Sequence, residues 1–231
     1  MEKLNILYED NHIIVVVKPC NILSQSDNTG DVDMLTIIKK YIKEKYNKLG
    51  NVYLGLVHRL DRPVGGIMVF AKSSKAASRL TDMIKKHDFI KKYVAIVNGT
   101  FKEKSGEFQD YLLKQDNGNT IVTTKNRGKN AVLKYNVLDE DVIHNLSLVE
   151  IELLTGRHHQ IRVQFSTRNH ALYGDQRYGK KDKEQIALWA YDLEFIHPVK
   201  KEKMKFVCYP PKINGWKLFE NKLLNSSCKW F

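Results

Sequence analysis

The chain has little of what a secreted or membrane protein needs. Only three of its 231 residues are cysteine: Cys20, Cys208 and Cys228, an odd and scattered set. That argues against a disulfide framework or a zinc site and fits a reducing cytosol, so a cytoplasmic location is expected. No apolar run approaches the roughly 18 residues needed to cross a bilayer. The opening MEKLNILYED is charged and lacks a signal-peptide pattern. There is no internal repeat, no low-complexity tract, and no Gly-rich dinucleotide or phosphate-loop pattern. Acidic residues are also scarce: 26 Asp and Glu face 38 Lys and Arg, a net charge of +12. Such an excess favours a polyanionic partner, nucleic acid before an anionic membrane surface. Much of it is lysine spread along the chain, which a general bias toward lysine also explains.

What is present is enough apolar residue for a core, 42% of the chain, in a mostly β pattern. Ile6–Tyr8 and Ile13–Val17 predict a hairpin around Glu9-Asp10-Asn11. Met34–Tyr46 has helical spacing with Asp33 as N-cap, and Ser73–His87 has it with Ser73 or Ser74 as cap. After the linker Asp88-Phe89-Ile90, strands are expected at Lys91–Val97, Gly106–Leu113, Thr120–Thr124, Ala131–Asp139 and Leu146–Leu154, the last four forming a β-meander. Gln160–Ser166 reads as a short helix whose N-terminus would favour phosphate, with Arg157 and Arg162 on one side of its start. Ile186–Phe195 and Met204–Cys208 are further strands, and Trp216–Phe231 is an amphipathic tail helix. The fold class is α+β, with a mixed, mainly antiparallel sheet and flanking helices.

Two stretches concentrate polar residues. In Leu56–Lys72, LVHRLDRPVGGIMVFAK, the run His58-Arg59-Leu60-Asp61-Arg62 sits between apolar segments and leads through Pro63 and Gly65-Gly66 into a short buried strand. The proline and glycines predict a tight, ordered turn. An acid flanked by arginines suits a carboxylate kept ionised for chemistry, since a nearby cation stabilises its charge. On this stretch alone a structural ion pair explains it equally well. The second stretch is Thr155–Thr167, TGRHHQIRVQFST. Its His158-His159 pair suggests metal, but helical neighbours point apart and no third ligand is spaced nearby.

These stretches and four shorter motifs resemble the RluA-type pseudouridine synthases. HRLDRPVGG followed by an apolar strand is similar to that family's H-R-L-D-x-x-T/V-S-G motif, and TGRHHQIRVQF to its T-G-R-x-H-Q-I/L-R-x-H. KYVAIVNG at Lys92–Gly99 resembles K-x-Y-x-A-x-V-x-G. Gly174-Asp175 with Tyr178-Gly179 matches G-D-x-x-Y-G, LEFIHP at Leu193–Pro198 matches L-x-F-x-H-P, and Tyr8–Pro19 resembles the opening E-D-x-x…V-x-K-P. The six occur in the family's order between about residues 6 and 210.

The resemblance implies one catalytic domain over residues 1–231, without the S4-like RNA-binding domain many members carry, and a central cleft. It implies an isomerase that converts uridines of ribosomal or transfer RNA, or both, to pseudouridine without a cofactor or metal, and a monomer. By motif position Asp61 would be the catalytic acid, Tyr93 would pack against the uracil, and Arg162 would pair with Asp61. Arg59 would enter the RNA stack in place of the flipped uridine, with His58, Arg62, Arg157 and Gln160 as further substrate contacts. Two positions depart from the pattern. Gly65 replaces Ser, keeping the turn but losing a hydroxyl, and Gln164 replaces His, keeping hydrogen-bonding capacity. Two other readings fit the charge: a non-catalytic RNA-binding protein on the same fold, and a nucleoside hydrolase, which would usually need a second carboxylate or a metal.

Overall fold

The computed structural model describes residues 4–224. They divide into two compact units. The first takes the chain up to Ile90 together with Ala190–Cys208, and the second takes Lys91–Trp189 and the chain from Tyr209 on.

The first unit opens on the expected antiparallel hairpin of β1 (Asn5–Glu9) and β2 (Ile13–Lys18). Asp10 makes its turn, accepting from the N–H groups of His12 at 2.7 Å and Ile13 at 2.9 Å. Nδ1 of the buried His197 accepts the N–H groups of Val199 and Lys200, so its proton sits on Nε2, 3.0 Å from Asp10 Oδ2. Burial pushes the Asp10 carboxyl up, but the Ile13 and His12 donors and His197 outweigh it and hold it at about 2. The E-D-x-x and H-P motifs, 187 residues apart, are therefore two halves of one contact.

Helix α1 (Met34–Lys45) starts at Asp33, which accepts from the Thr36 N–H at 3.2 Å and buries Met34, Ile38 and Ile42 below it. The two-residue β3 (Gly55–Leu56) pairs with β4 (Gly65–Ala71), and α2 (Ser74–Lys85), capped by Ser73, follows.

The second unit holds β5 (Ile90–Asn98), β6 (Ser105–Lys114), β7 (Thr120–Thr123), β8 (Lys129–Asp141), β9 (Leu146–Leu153) and α3 (Gln160–Ser166). Strand β10 (Leu188–Ile196) starts there and passes into the first unit, where β11 (Lys203–Val207) pairs with it. The tail is a 3-10 turn, Asn214–Phe219, and α4 (Glu220–Leu224), with Trp216 and Phe219 buried. The rest of the expected tail helix, Trp230 included, lies outside the described residues.

Strand order in the first unit is β1-β2-β4-β10. Every residue of β2 and β4 is buried, so their runs of Ile, Val, Met and Phe are unbroken rather than alternating. Ile13, Val15, Ile67 and Val69 pack with Leu80 of α2, Phe89 and Phe195. Phe89 lies in the connection between α2 and β5, yet its side chain belongs to the core and stacks on Phe195 at 5.4 Å. Gly66, at φ 128°, has no room for a Cβ, which would collide with the Ala190 carbonyl.

In the second unit the order is β5-β9-β8-β6-β7, and the expected meander is corrected. Strand β8 returns along the far side of β6 instead of lying beside β7, so Leu112 faces Val122 on one side and Lys129 on the other. Local turn chemistry specifies the β6–β7 hairpin but not which edge the next strand takes. Phe165 of α3 meets Phe108 edge-on at 5.0 Å, joining the helix to this layer.

Glu9 is the hub of the first unit's surface network. Its Oε2 accepts from Tyr41 at 2.9 Å and Lys45 at 2.7 Å, and its Oε1 from Tyr46 at 2.9 Å and Lys72 at 2.7 Å. Burial pushes its carboxyl up, but these four donors bring it from 4.5 down to about 2. A lowered carboxylate pKa stabilises the fold above the unfolded value and loses that stability as pH falls through the folded one. Glu9→Gln should therefore cost about 1–3 kcal/mol at neutral pH, and the gap to wild type should close between pH 4.5 and about 2. Urea unfolding against pH checks this; a constant gap contradicts it.

Candidate active site

The first polar stretch is a turn fixed at three points. Nε2 of His58 accepts the β4 N–H of Val69 at 3.1 Å, and its ring lies edge-on to Phe89 at 5.5 Å. Ser24, buried, both accepts from the Leu60 N–H at 3.1 Å and donates to the Leu60 carbonyl at 2.8 Å. Lys18 then holds the Arg62 carbonyl. Its Nζ, on a fully buried side chain, donates to Pro19 O at 3.0 Å, Ile22 O at 2.6 Å and Arg62 O at 3.0 Å. Burial lowers the Lys18 pKa to about 8, against the opposing pull of Cys20 and Asp61. Asp61 thus sits between two clamped residues, Leu60 and Arg62, and closes the turn by accepting the Val64 N–H at 3.0 Å.

The side chains of this turn diverge in use. Arg59 is exposed. Arg62 pairs with Asp31 at 2.7 Å, both of them half exposed, a surface ion pair of small energetic weight. Of the two glycines only Gly66 uses a positive φ, while Gly65 opens β4 as ordinary extended chain. Neither Ser24 nor Lys18 stands out as a site residue in the sequence. The signals for Lys18 are its place in the V-x-K-P motif and at the end of an all-apolar strand, where a solvated lysine is out of character.

In the second unit Tyr93 lies on β5 opposite Ile151, 6% exposed. Arg162, on α3, is buried, and its Nε and Nη2 donate to the two oxygens of Asp175 at 2.8 and 2.7 Å. Asp175 also accepts the N–H groups of Arg177 at 2.9 Å and Tyr178 at 3.1 Å. Burial pushes its carboxyl up, but Arg162 and these donors carry it below the usual range. The Tyr178 ring lies 5.2 Å from the guanidinium carbon.

Arg157 and Arg162 do not share one side of the helix start. Arg157 is exposed and bonds back to the Asn130 carbonyl at 2.8 Å, while Arg162 points inward. Gln160 is a brace: its Oε1 accepts from Thr155 Oγ1 and the Arg157 N–H, both at 2.9 Å, and its Nε2 donates to Val132 O at 3.1 Å. The helix start is not an open anion site either, since Gln160 and the residues after it are buried. His158 and His159 precede α3 and stack at 3.7 Å, with His159 at φ 52°. Their rings serve Thr120 Oγ1 at 2.9 Å and the Tyr178 hydroxyl at 2.7 Å. Gln164 faces the interior, donating to Asp110 at 2.8 Å. Among the described residues no three His, Cys, Asp or Glu side chains gather as a metal site, and no helix is long and apolar enough to cross a membrane.

A sequence model of the family described as RNA pseudouridylate synthase matches residues 12–167, a span from the first hairpin to the end of α3. The chain belongs to the RNA pseudouridylate synthase family. Members of this family are isomerases that turn uridine into pseudouridine in RNA. An uncharacterized RNA pseudouridine synthase of Aquifex aeolicus is 32% identical over 221 residues, 90% of this chain and 70% of that one. Ribosomal large subunit pseudouridine synthase D of Zymomonas mobilis is 30% identical over 224 residues, again 90% and 70%. The solved structure of human RNA pseudouridylate synthase domain containing 4 shares the fold, with a TM-score of 0.77 and 21% identity over 95% of this chain and 93% of that one.

Within this synthase fold the Lys18 clamp gives a direct expectation. Lys18→Met takes the donor from three carbonyls, those of Pro19, Ile22 and Arg62, and should cost about 1–3 kcal/mol. Between pH 8 and 10.5 the unfolded lysine keeps a proton that the folded one sheds, so wild type gains stability over this range and the variant does not. Urea unfolding of both proteins should give a difference that widens with rising pH; a difference that narrows contradicts the assignment.

Proposed function

We propose that this chain isomerises specific uridines of large-subunit ribosomal RNA, with Asp61 as the essential acid. The observation that carries the reading is the turn itself: the family's H-R-L-D motif is present, and its aspartate is backbone-fixed on both sides by Ser24 and Lys18. The ribosomal substrate is suggested by the name of the Zymomonas relative, a ribosomal large subunit pseudouridine synthase, and by the net charge of +12; transfer RNA is the other substrate class to test.

The reaction breaks N1–C1′, turns the uracil, and joins C5 to C1′, with the C5 proton lost and one gained at N1. No electron acceptor is consumed. Asp61 meets the developing positive charge at C1′ by attacking it or removes a 2′ proton, and one acid suffices where a glycosidase uses two. Arg162 supplies the compensating charge, because an unpaired carboxylate withdrawn from water protonates instead. Tyr93 lies against the uracil. The uridine has to leave its stack, at a cost of roughly a few kcal/mol, and Arg59, exposed on the turn, fills the vacated place with its guanidinium plane. Arg62 and Arg157 contact phosphates, and His58 and Gln160 serve by shaping the segments that carry the others.

Pseudouridine mapping of total RNA from cells lacking the protein, complemented with wild type or Asp61→Asn, tests the activity. One or a few ribosomal sites should vanish and return with wild type alone. Sites restored equally by Asp61→Asn would point to the non-catalytic reading, and lost transfer-RNA sites would reassign the substrate. Arg59→Ala should slow modification of folded RNA more than of an unstructured oligonucleotide carrying the same site; equal losses would contradict the flipping role.

A further inference from the structure

Arg162 is held far more firmly than neutralising its charge requires. The side chains of Arg162 and Asp175 are 6% and 0% exposed. Their bond is a side-on fork through Nε and Nη2, which fixes the guanidinium plane as well as its position. Asp175 cannot swing with it, because the N–H groups of Arg177 and Tyr178 anchor the same carboxylate. The loop behind Asp175 is anchored in turn. Gly174, at φ 69°, lies so close to the Gln185 carbonyl that a Cβ would collide with it. Tyr173 donates to Ile96 O and accepts from the Ala187 N–H, both at 2.9 Å. Ile96 lies on β5, the strand that bears Tyr93, so the loop and the tyrosine share one frame.

The face of the guanidinium is fixed as well. The Tyr178 ring that covers it has its hydroxyl held by the Thr120 N–H at 2.8 Å and by His159 at 2.7 Å. The guanidinium is thereby held on an edge by Asp175 and on a face by Tyr178. A guanidinium fixed in this way delivers its positive charge through a directed N–H group.

We propose that Asp175 is a positioning residue of the isomerisation, fixing the Arg162 guanidinium in the orientation in which it serves the catalytic acid. This rests on the role given to Arg162 above. The charge of Asp175 alone does not do this work; its place does.

The test is single-turnover release of tritium from a large-subunit ribosomal RNA transcript labelled at uridine C5, with enzyme in excess, alongside RNA affinity and thermal unfolding. Asp175→Asn should slow the chemical step by about 100-fold, the scale of a small misplacement in a catalytic group, with RNA affinity unchanged. Asp175→Glu keeps the charge and moves it by one methylene, and should slow the step by a similar factor while remaining folded at the assay temperature. The Asp175→Asn, Arg162→Gln double variant should be no slower than Arg162→Gln alone, because both changes remove one function. A wild-type rate in Asp175→Glu, multiplying losses in the double variant, a loss confined to RNA affinity, or unfolding of both single variants would each overturn the proposal. The wild-type arm separates this from the underlying reading: no tritium release by wild type from ribosomal or transfer RNA transcripts counts against the function itself.

Discussion

The buried ammonium of Lys18 is the contact on which the Asp61 turn depends. Withdrawing a lysine from water is costly, and the lowered pKa is the mark of that cost. It is offset by three bonds to carbonyls from the end of β2, the loop after it and the residue following Asp61. Three donors on one tetrahedral nitrogen suit three carbonyls converging from different segments; the planar fork of an arginine would not. The ammonium also places a positive charge whose field reaches Asp61. One side chain thus supplies both the geometry of the turn and part of its electrostatics.

The second unit solves a related problem in another way. There the cation, Arg162, is the group held and a carboxylate is the clamp. Asp175 takes four donors, two from Arg162 and two from its own loop, and Gly174 gives the loop the one backbone conformation that fits beneath Gln185. Gln160, Thr155 and the His158-His159 stack brace the approach to α3. Little of the TGRHHQIR motif is left over for display: most of its polar residues are spent on holding Arg162 and the start of its helix.

What the sequence made legible was what is decided locally. The β1–β2 hairpin, the Asp33 and Ser73 caps and the bounds of α3 each follow from residues within a few positions of one another. What it did not make legible depends on chain ends meeting across long separations. The side of β6 on which β8 lies, the partnership of Asp10 with His197, the Ser24 clamp and the Glu9 hub have no local signature. The same holds inside the site. Motif order names Asp61, Tyr93 and Arg162 as candidates and also takes in Lys18 and Asp175, but what those two hold is visible only through their partners. The stacking of His158 on His159 is hidden for a related reason: the two residues precede the helix, so the helical rule that separates neighbouring side chains does not apply to them.

In the proposed reaction the glycosidic bond moves from N1 to C5 of the same uracil through Asp61. Isomerisation, hydrolysis and simple binding leave different products on RNA tritiated at uridine C5. Wild type should release one tritium to water for each pseudouridine formed, with no free uracil, and Asp61→Asn should release none. Labelled free uracil would mean hydrolysis, and release undiminished in Asp61→Asn would contradict the assignment of the acid.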